Sequence, residues 1–155
     1  MQVGDAVEDF KLQNENDETV HLSDYSGKPV VLFFYPRADT PGCTIEACGF
    51  RDTFKKLEKA GVVVLGISRD TPRAQKKFKE KYELPYALLA DVDEQVCNQF
   101  GVMRDKNMYG KKVRGIERST YLIGPDRKLL HIWSKVKPEG HAEEVLAAIN
   151  AGAAK

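Results

Sequence analysis

The sequence has little of what would place it outside a reducing, aqueous compartment. Three cysteines in 155 residues are too few, and too odd in number, for the disulfide framework of a small secreted domain. The opening MQVGDAVEDF carries Asp5, Glu8 and Asp9 and no apolar run, so it does not read as a secretory leader, and no later stretch is long enough to cross a bilayer. Net charge is also missing. The 24 Lys and Arg stand against 23 Asp and Glu, leaving no field that favours nucleic acid or an anionic membrane. Lysines in KKFKEKYE alternate with glutamate and read as a solvated helix face. His21, His131 and His141 are scattered, without ligand spacing to one another, so no metal is expected. No repeat, linker or compositional break divides the chain. Residues 1–155 therefore read as one domain, cytoplasmic, with small neutral molecules or other proteins as partners.

What is present is apolar material, 42% of residues, enough for a real core. It is arranged in alternating segments. PVVLFFYP, from Pro29 to Pro36, suits a central strand buried on both faces, and GVVVLGIS from Gly61 reads the same way. Between them Ala47, Phe50, Phe54 and Leu57 recur at helical spacing, with Gly61 as the stop. A second helix after Pro72 is marked by Ala74, Phe78 and Tyr82. It is followed by a strand near YALLAD and a short helix through Val96 and Phe100. MYGKKVRG reads as a loop. STYLIG and KLLHIW flank PDR as a hairpin, Pro138 opens a last helix through Ala142, Val145, Leu146 and Ile149, and NAGAAK is a frayed tail. Parallel strands followed by an antiparallel hairpin imply a mixed central sheet with helices on both faces. That is a thioredoxin-like three-layer α/β sandwich.

The stretch DTPGCTIEAC carries the chemistry. Cys43 falls just past the first buried strand, at the mouth of a helix, where open α/β sheets keep their sites. Free backbone N–H groups and the positive end of the helix dipole stabilise a thiolate there. Thr40 offers a hydroxyl to cap the helix or to hydrogen-bond the sulfur, and Pro36 and Pro41 stiffen the approach without supplying competing donors. Helical phase puts Cys43 with Ala47, Phe50 and Phe54 on the apolar face. Cys48 falls with Arg51, Asp52, Lys55 and Lys59 on the polar one. Two small core fillers would not be split in this way. Zinc would need more ligands than this pair offers, because no histidine stands near enough to complete a tetrahedral set. Cys97, in an apolar helix, reads as a space filler.

The segment PRADTPGCT resembles the Pro-x-x-x-Thr-x-x-Cys signature of the peroxiredoxins, and TPGCTIEACGFRD is similar to their bacterioferritin comigratory protein, or peroxiredoxin Q, subgroup. The likeness runs on through VVVLGIS, LPYALLAD and FGV to GIERSTYLI. It implies a thiol peroxidase in which Cys43 is the peroxidatic cysteine and Cys48 the resolving one, with Thr40, Pro36 and Arg118 completing the site. The substrates implied are hydrogen peroxide and organic hydroperoxides. The implied reductant is thioredoxin or a glutaredoxin-like protein, and no cofactor is needed because sulfur carries both electrons. A monomer is expected, with a dimer as the alternative. Arg118 would hold a peroxide oxygen as charge develops on the leaving group. Glu46 reads as a balance to the helix dipole ahead of a partner that orients the arginine.

Two rival readings share these residues. A general thiol–disulfide oxidoreductase would more often space its cysteines by two residues than by the four seen here. A redox-sensing protein would use the same disulfide without sustained turnover. Helix geometry adds a constraint common to all three. Five residues advance about 7.5 Å and turn about 140°, leaving the Cα atoms roughly 8 to 9 Å apart, whereas a disulfide needs them within about 7 Å. The first turns must unwind before Cys43 and Cys48 can bond, and Gly49 makes this easier, since glycine costs a helix interior roughly 1 kcal/mol relative to alanine.

Overall fold

The computed structural model describes residues 1–153. Residues before Pro29 carry no strong hydrophobic pattern, yet Lys11–Asn14 (β1) and Thr19–His21 (β2) pair as an antiparallel hairpin with Leu12 opposite Val20. Strands this short give alternation no room to show. Val30–Phe34 (β3) is buried along its whole length. Its period of two sends Val30, Leu32 and Phe34 into one half of the core and Val31 and Phe33 into the other. The helix Pro41–Lys59 (α1) returns the chain to Val63–Ser68 (β4), parallel to β3 with Leu32 opposite Leu65. Gly61, at φ 79°, turns the chain out of the helix.

Pro72–Tyr82 (α2) starts on a cap in which the Thr71 hydroxyl accepts the Ala74 N–H at 3.2 Å. Ala87–Ala90 (β5) then runs parallel to β4, and Gln95–Gln99 (α3) follows. Met103–Met108 (β6) and Lys111–Ile116 (β7) form a ribbon outside the main sheet. Ser119–Ile123 (β8), Leu129–Trp133 (β9) and His141–Ala148 (α4) complete the fold. The strand order β2-β1-β5-β4-β3-β8-β9 gives a mixed seven-stranded sheet. On one face Phe50 and Leu57 of α1, Phe78 of α2 and Val145 of α4 pack together. The other face is covered by Val96 and Cys97 of α3, by Val7 and Phe10, and by the foot of the ribbon at Met103 and Ile116. This is the thioredoxin-like three-layer arrangement, with a thin third layer. No helix among the described residues is long and apolar enough to cross a membrane.

Three local expectations change. MYGKKVRG is not a loop: it contributes to β6 and β7, joined at Tyr109 (φ 53°) and Gly110 (φ 77°), the positive pair that a tight hairpin turn requires. Because β7 is exposed from Lys111 to Arg114, its lysines conceal the alternation. Pro138 does not open the last helix, which begins at His141 after Gly140 (φ 74°). Its ring lies instead beside Gly42, 3.4 Å from where a side chain there would begin. The expected tail stays wound past the end of α4, with Ile149 buried, until Gly152 (φ 100°) kinks it; Ala154 and Lys155 lie outside the described residues.

Candidate active site

The loop that delivers Cys43 to the mouth of α1 is tied down before it arrives. Asp70, just past the end of β4, accepts the Ala38 N–H at 2.8 Å and the Ser68 hydroxyl at 2.5 Å through one carboxylate oxygen. Asp39 adopts a left-handed φ of 59° and is held at the end of α2 by the Lys81 ammonium at 2.9 Å and the Tyr82 hydroxyl at 2.8 Å. Pro36 is half-buried at the start of this loop, and Pro41 is the first helical residue. Thr40 takes the cap position, but its hydroxyl donates back to the Arg37 carbonyl at 2.9 Å and bonds neither the sulfur nor an amide of the first turn. It shapes the loop in this state.

Cys43 is 1% exposed, so only a small reactant reaches it without a rearrangement. Its partner is Arg118, whose Nη2 lies 3.4 Å from Sγ. The two are 75 positions apart, and sheet register brings them together. Antiparallel pairing sets Ser119 opposite Phe34, so Arg118 stands beside the point where β3 gives way to the loop. The Val136 N–H, donated to the Arg118 carbonyl at 2.9 Å, fixes the backbone there. Gly42 leaves room for the guanidinium: a Cβ at that position would lie 3.1 Å from Nη2.

Glu46 corrects the reading that it balances the dipole. It is buried, and its Oε1 accepts from Arg118 Nη1 at 2.8 Å. The planar guanidinium thus reaches the carboxylate with one nitrogen and the sulfur with the other. Oε2 has no hydrogen-bond partner among the described residues. The two members of the pair respond in opposite ways. Burial works against the Arg118 charge but is outweighed by Glu46 and by the Cys43 sulfur, which hold it charged. Glu46 has one cation against near-complete burial, and desolvation lifts its carboxyl from the usual 4.5 to about 7 despite Arg118. Its place three residues after Cys43, hence on the same helical face, is the signal that could have identified it.

That raised value carries a pH dependence. The folded chain holds a proton on Glu46 that the unfolded chain has already released, so this group's contribution to stability is present at low pH. It is lost as pH rises from about 4.5 through about 7. At about 1.4 kcal/mol per pK unit the full swing is on the order of 3 kcal/mol. Glu46→Gln keeps a hydrogen bond for Arg118 but does not titrate. Urea unfolding at pH 5 and pH 8 should therefore show a smaller loss of stability with rising pH in the variant than in the parent. Equal losses would remove Glu46 as the source.

Cys48 is half-buried. Burial pushes its thiol up, against the opposing charge of Arg51, which keeps it protonated while the helix is intact. Cys97 fills the opposite half of the core, its thiol pushed up by burial and by Asp91. Asp91 is itself engaged, accepting the Val96 and Cys97 amides at 3.2 and 2.7 Å. His141 is a packing residue. It is buried edge-on to Phe50, with Nε2 2.7 Å from the Thr120 hydroxyl, and burial lowers it towards the neutral form. Nothing in the local sequence sets Lys106 apart. Its ammonium donates to the Ile116 carbonyl at 2.7 Å, and burial and the nearby Arg118 charge lower it.

Residues 3–132 match the model of the AhpC/TSA family. A putative peroxiredoxin bcp of Coxiella burnetii is 52% identical over 149 residues, covering 96% of this chain and 99% of that one. Among solved structures, a mutant of the Xylella fastidiosa protein PrxQ superposes with a TM-score of 0.94 at 38% identity, over 99% of this chain and 98% of that one. The bacterioferritin comigratory protein of Xanthomonas campestris gives 0.88 at 40% identity, over 93% and 92% of the two chains. With a buried helix-mouth cysteine faced by an arginine on a sheet of this order, and with this match and these similarities, the chain belongs to the AhpC/TSA family and is a peroxiredoxin, a thiol peroxidase.

Proposed function

We propose that Cys43 is the peroxidatic cysteine and Cys48 the resolving one. The Cys43 thiolate attacks the terminal oxygen of a peroxide ROOH. The S–O bond forms, the O–O bond breaks, and the departing RO⁻ takes a proton to leave as ROH, so that sulfur becomes a sulfenic acid by giving up two electrons. The Cys48 thiol then condenses with the sulfenic acid, releasing water and forming an intramolecular disulfide. An external dithiol of the thioredoxin or glutaredoxin type returns both cysteines to thiols by exchange.

The observation that carries this reading is the guanidinium shared between Glu46 and the Cys43 sulfur. A cation fixed on both sides is in place to hold the peroxide oxygens as negative charge builds on the leaving one. The buried thiol suits hydrogen peroxide and slim hydroperoxides. The similar X. campestris protein has alkyl peroxide reduction activity, which supports organic hydroperoxides as substrates here. The working unit we propose is a monomer in the cytoplasm. Steady-state peroxide consumption with thioredoxin, thioredoxin reductase and NADPH tests the proposal. Sustained turnover that scales with thioredoxin is expected; a single equivalent consumed and then none would mark a sensor, and efficient insulin reduction without peroxide turnover a general oxidoreductase.

A further inference from the structure

Tyr86, between α2 and β5, is 3% exposed and packed against Phe33 at 5.7 Å and Phe54 at 6.2 Å between ring centroids. Its hydroxyl donates to the Ala47 carbonyl at 2.5 Å. Ala47 sits in the middle of α1, immediately before Cys48, and in a regular helix its carbonyl also accepts the amide four residues on. The extra bond from Tyr86 is a tertiary tie on the turn that Cys48 must leave. A second tie follows it, since Arg51 Nη1 donates to the Tyr82 carbonyl at 2.9 Å. Burial holds the Tyr86 phenol well above its usual value, so it stays a donor.

We propose that Tyr86 is a positioning residue for the disulfide step: by holding the Ala47 carbonyl it latches the Cys48 turn in helical form and sets how fast Cys48 reaches oxidised Cys43. This rests on the reading of Cys43 and Cys48 as a disulfide pair. Unwinding the turn takes the Ala47 carbonyl away from the hydroxyl and leaves a buried phenol without its acceptor, a cost that phenylalanine would not carry. The latch therefore lengthens the life of the sulfenic acid. While it lasts, its sulfur can attack a second peroxide, forming a second S–O bond as the O–O bond breaks, to give the sulfinic acid and ROH.

The test compares the parent with Tyr86→Phe and Tyr121→Phe. Tyr121 also buries its ring and donates to a carbonyl, that of Phe100 at 2.9 Å, but in the opposite half of the core. After one equivalent of hydrogen peroxide, peroxide loss reports the first step, and mass analysis of acid-quenched, alkylated samples reports the Cys43–Cys48 bond. Tyr86→Phe should consume peroxide at the parental rate and form the disulfide about three- to ten-fold faster, the factor one buried hydrogen bond carries. With excess peroxide it should accumulate less sulfinic acid. Tyr121→Phe should match the parent in all three. An unchanged disulfide rate in Tyr86→Phe, or an equal acceleration in Tyr121→Phe, would overturn the latch while leaving the cysteine pairing intact. A parent that forms no Cys43–Cys48 bond would remove both.

Discussion

Cys43→Ser is expected to lose peroxide reduction altogether, while Cys48→Ser stops one step later. Serine at position 43 keeps the size and the hydrogen bond from Arg118 but is not ionised, so nothing attacks the O–O bond. With Cys48 replaced, Cys43 and Arg118 remain in place, and the first step should run at the parental rate. The product then has no resolving thiol, and a sulfenic acid should persist long enough to trap with a dimedone-type reagent. Turnover with thioredoxin should fall to a small fraction of the parent. Cys97→Ser should turn over normally, because that thiol lies in the other half of the core. Normal peroxide reactivity in the Cys43→Ser protein would falsify the assignment.

Arg118→Lys should slow the attack on peroxide by on the order of ten-fold or more. Lysine keeps the charge but not the fork, so one ammonium cannot hold Glu46 and face the Cys43 sulfur with separate nitrogens. The loss should fall on the first step alone, with disulfide formation from pre-formed sulfenic acid little changed. Arg118→Ala should do more, because it leaves the Glu46 carboxyl buried without its cation; a stability loss of about 3 to 5 kcal/mol is the usual cost of breaking such a pair. Protonation of Glu46 would relieve part of it. Parental first-step rates in Arg118→Lys would reduce the arginine to a structural ion pair.

Much of this molecule is legible in its sequence, for identifiable reasons. β3 and β4 are buried on both faces, so their apolar runs are unbroken, and α1 announces itself through Ala47, Phe50 and Leu57. The ribbon of β6 and β7 is concealed because it stands outside the sheet and exposes most of β7. At the site, Cys43 and Cys48 follow from local spacing and helical phase. Arg118 does not, since its meeting with Cys43 depends on a strand register that no local pattern encodes, and only family resemblance pointed to it. Glu46 lies in the second turn of α1, past the N-terminal turn where the dipole would account for a carboxylate, and its burial beside a cation is a tertiary fact that no local pattern encodes. Tyr86 looks like one more aromatic in a core, and the acceptor of its hydroxyl lies 39 positions away.

In the proposed cycle the two cysteines of α1 divide the reaction and can meet only if their part of the helix comes apart. Amide hydrogen exchange across residues 43 to 51, compared between the dithiol and the peroxide-oxidised protein, tests this most directly. Faster exchange through this stretch in the oxidised protein is predicted, together with lower helicity by circular dichroism, while the rest of α1 stays protected. Equal exchange in the two states, with the Cys43–Cys48 bond confirmed by mass, would contradict it by showing the two sulfurs already within bonding reach in an intact helix.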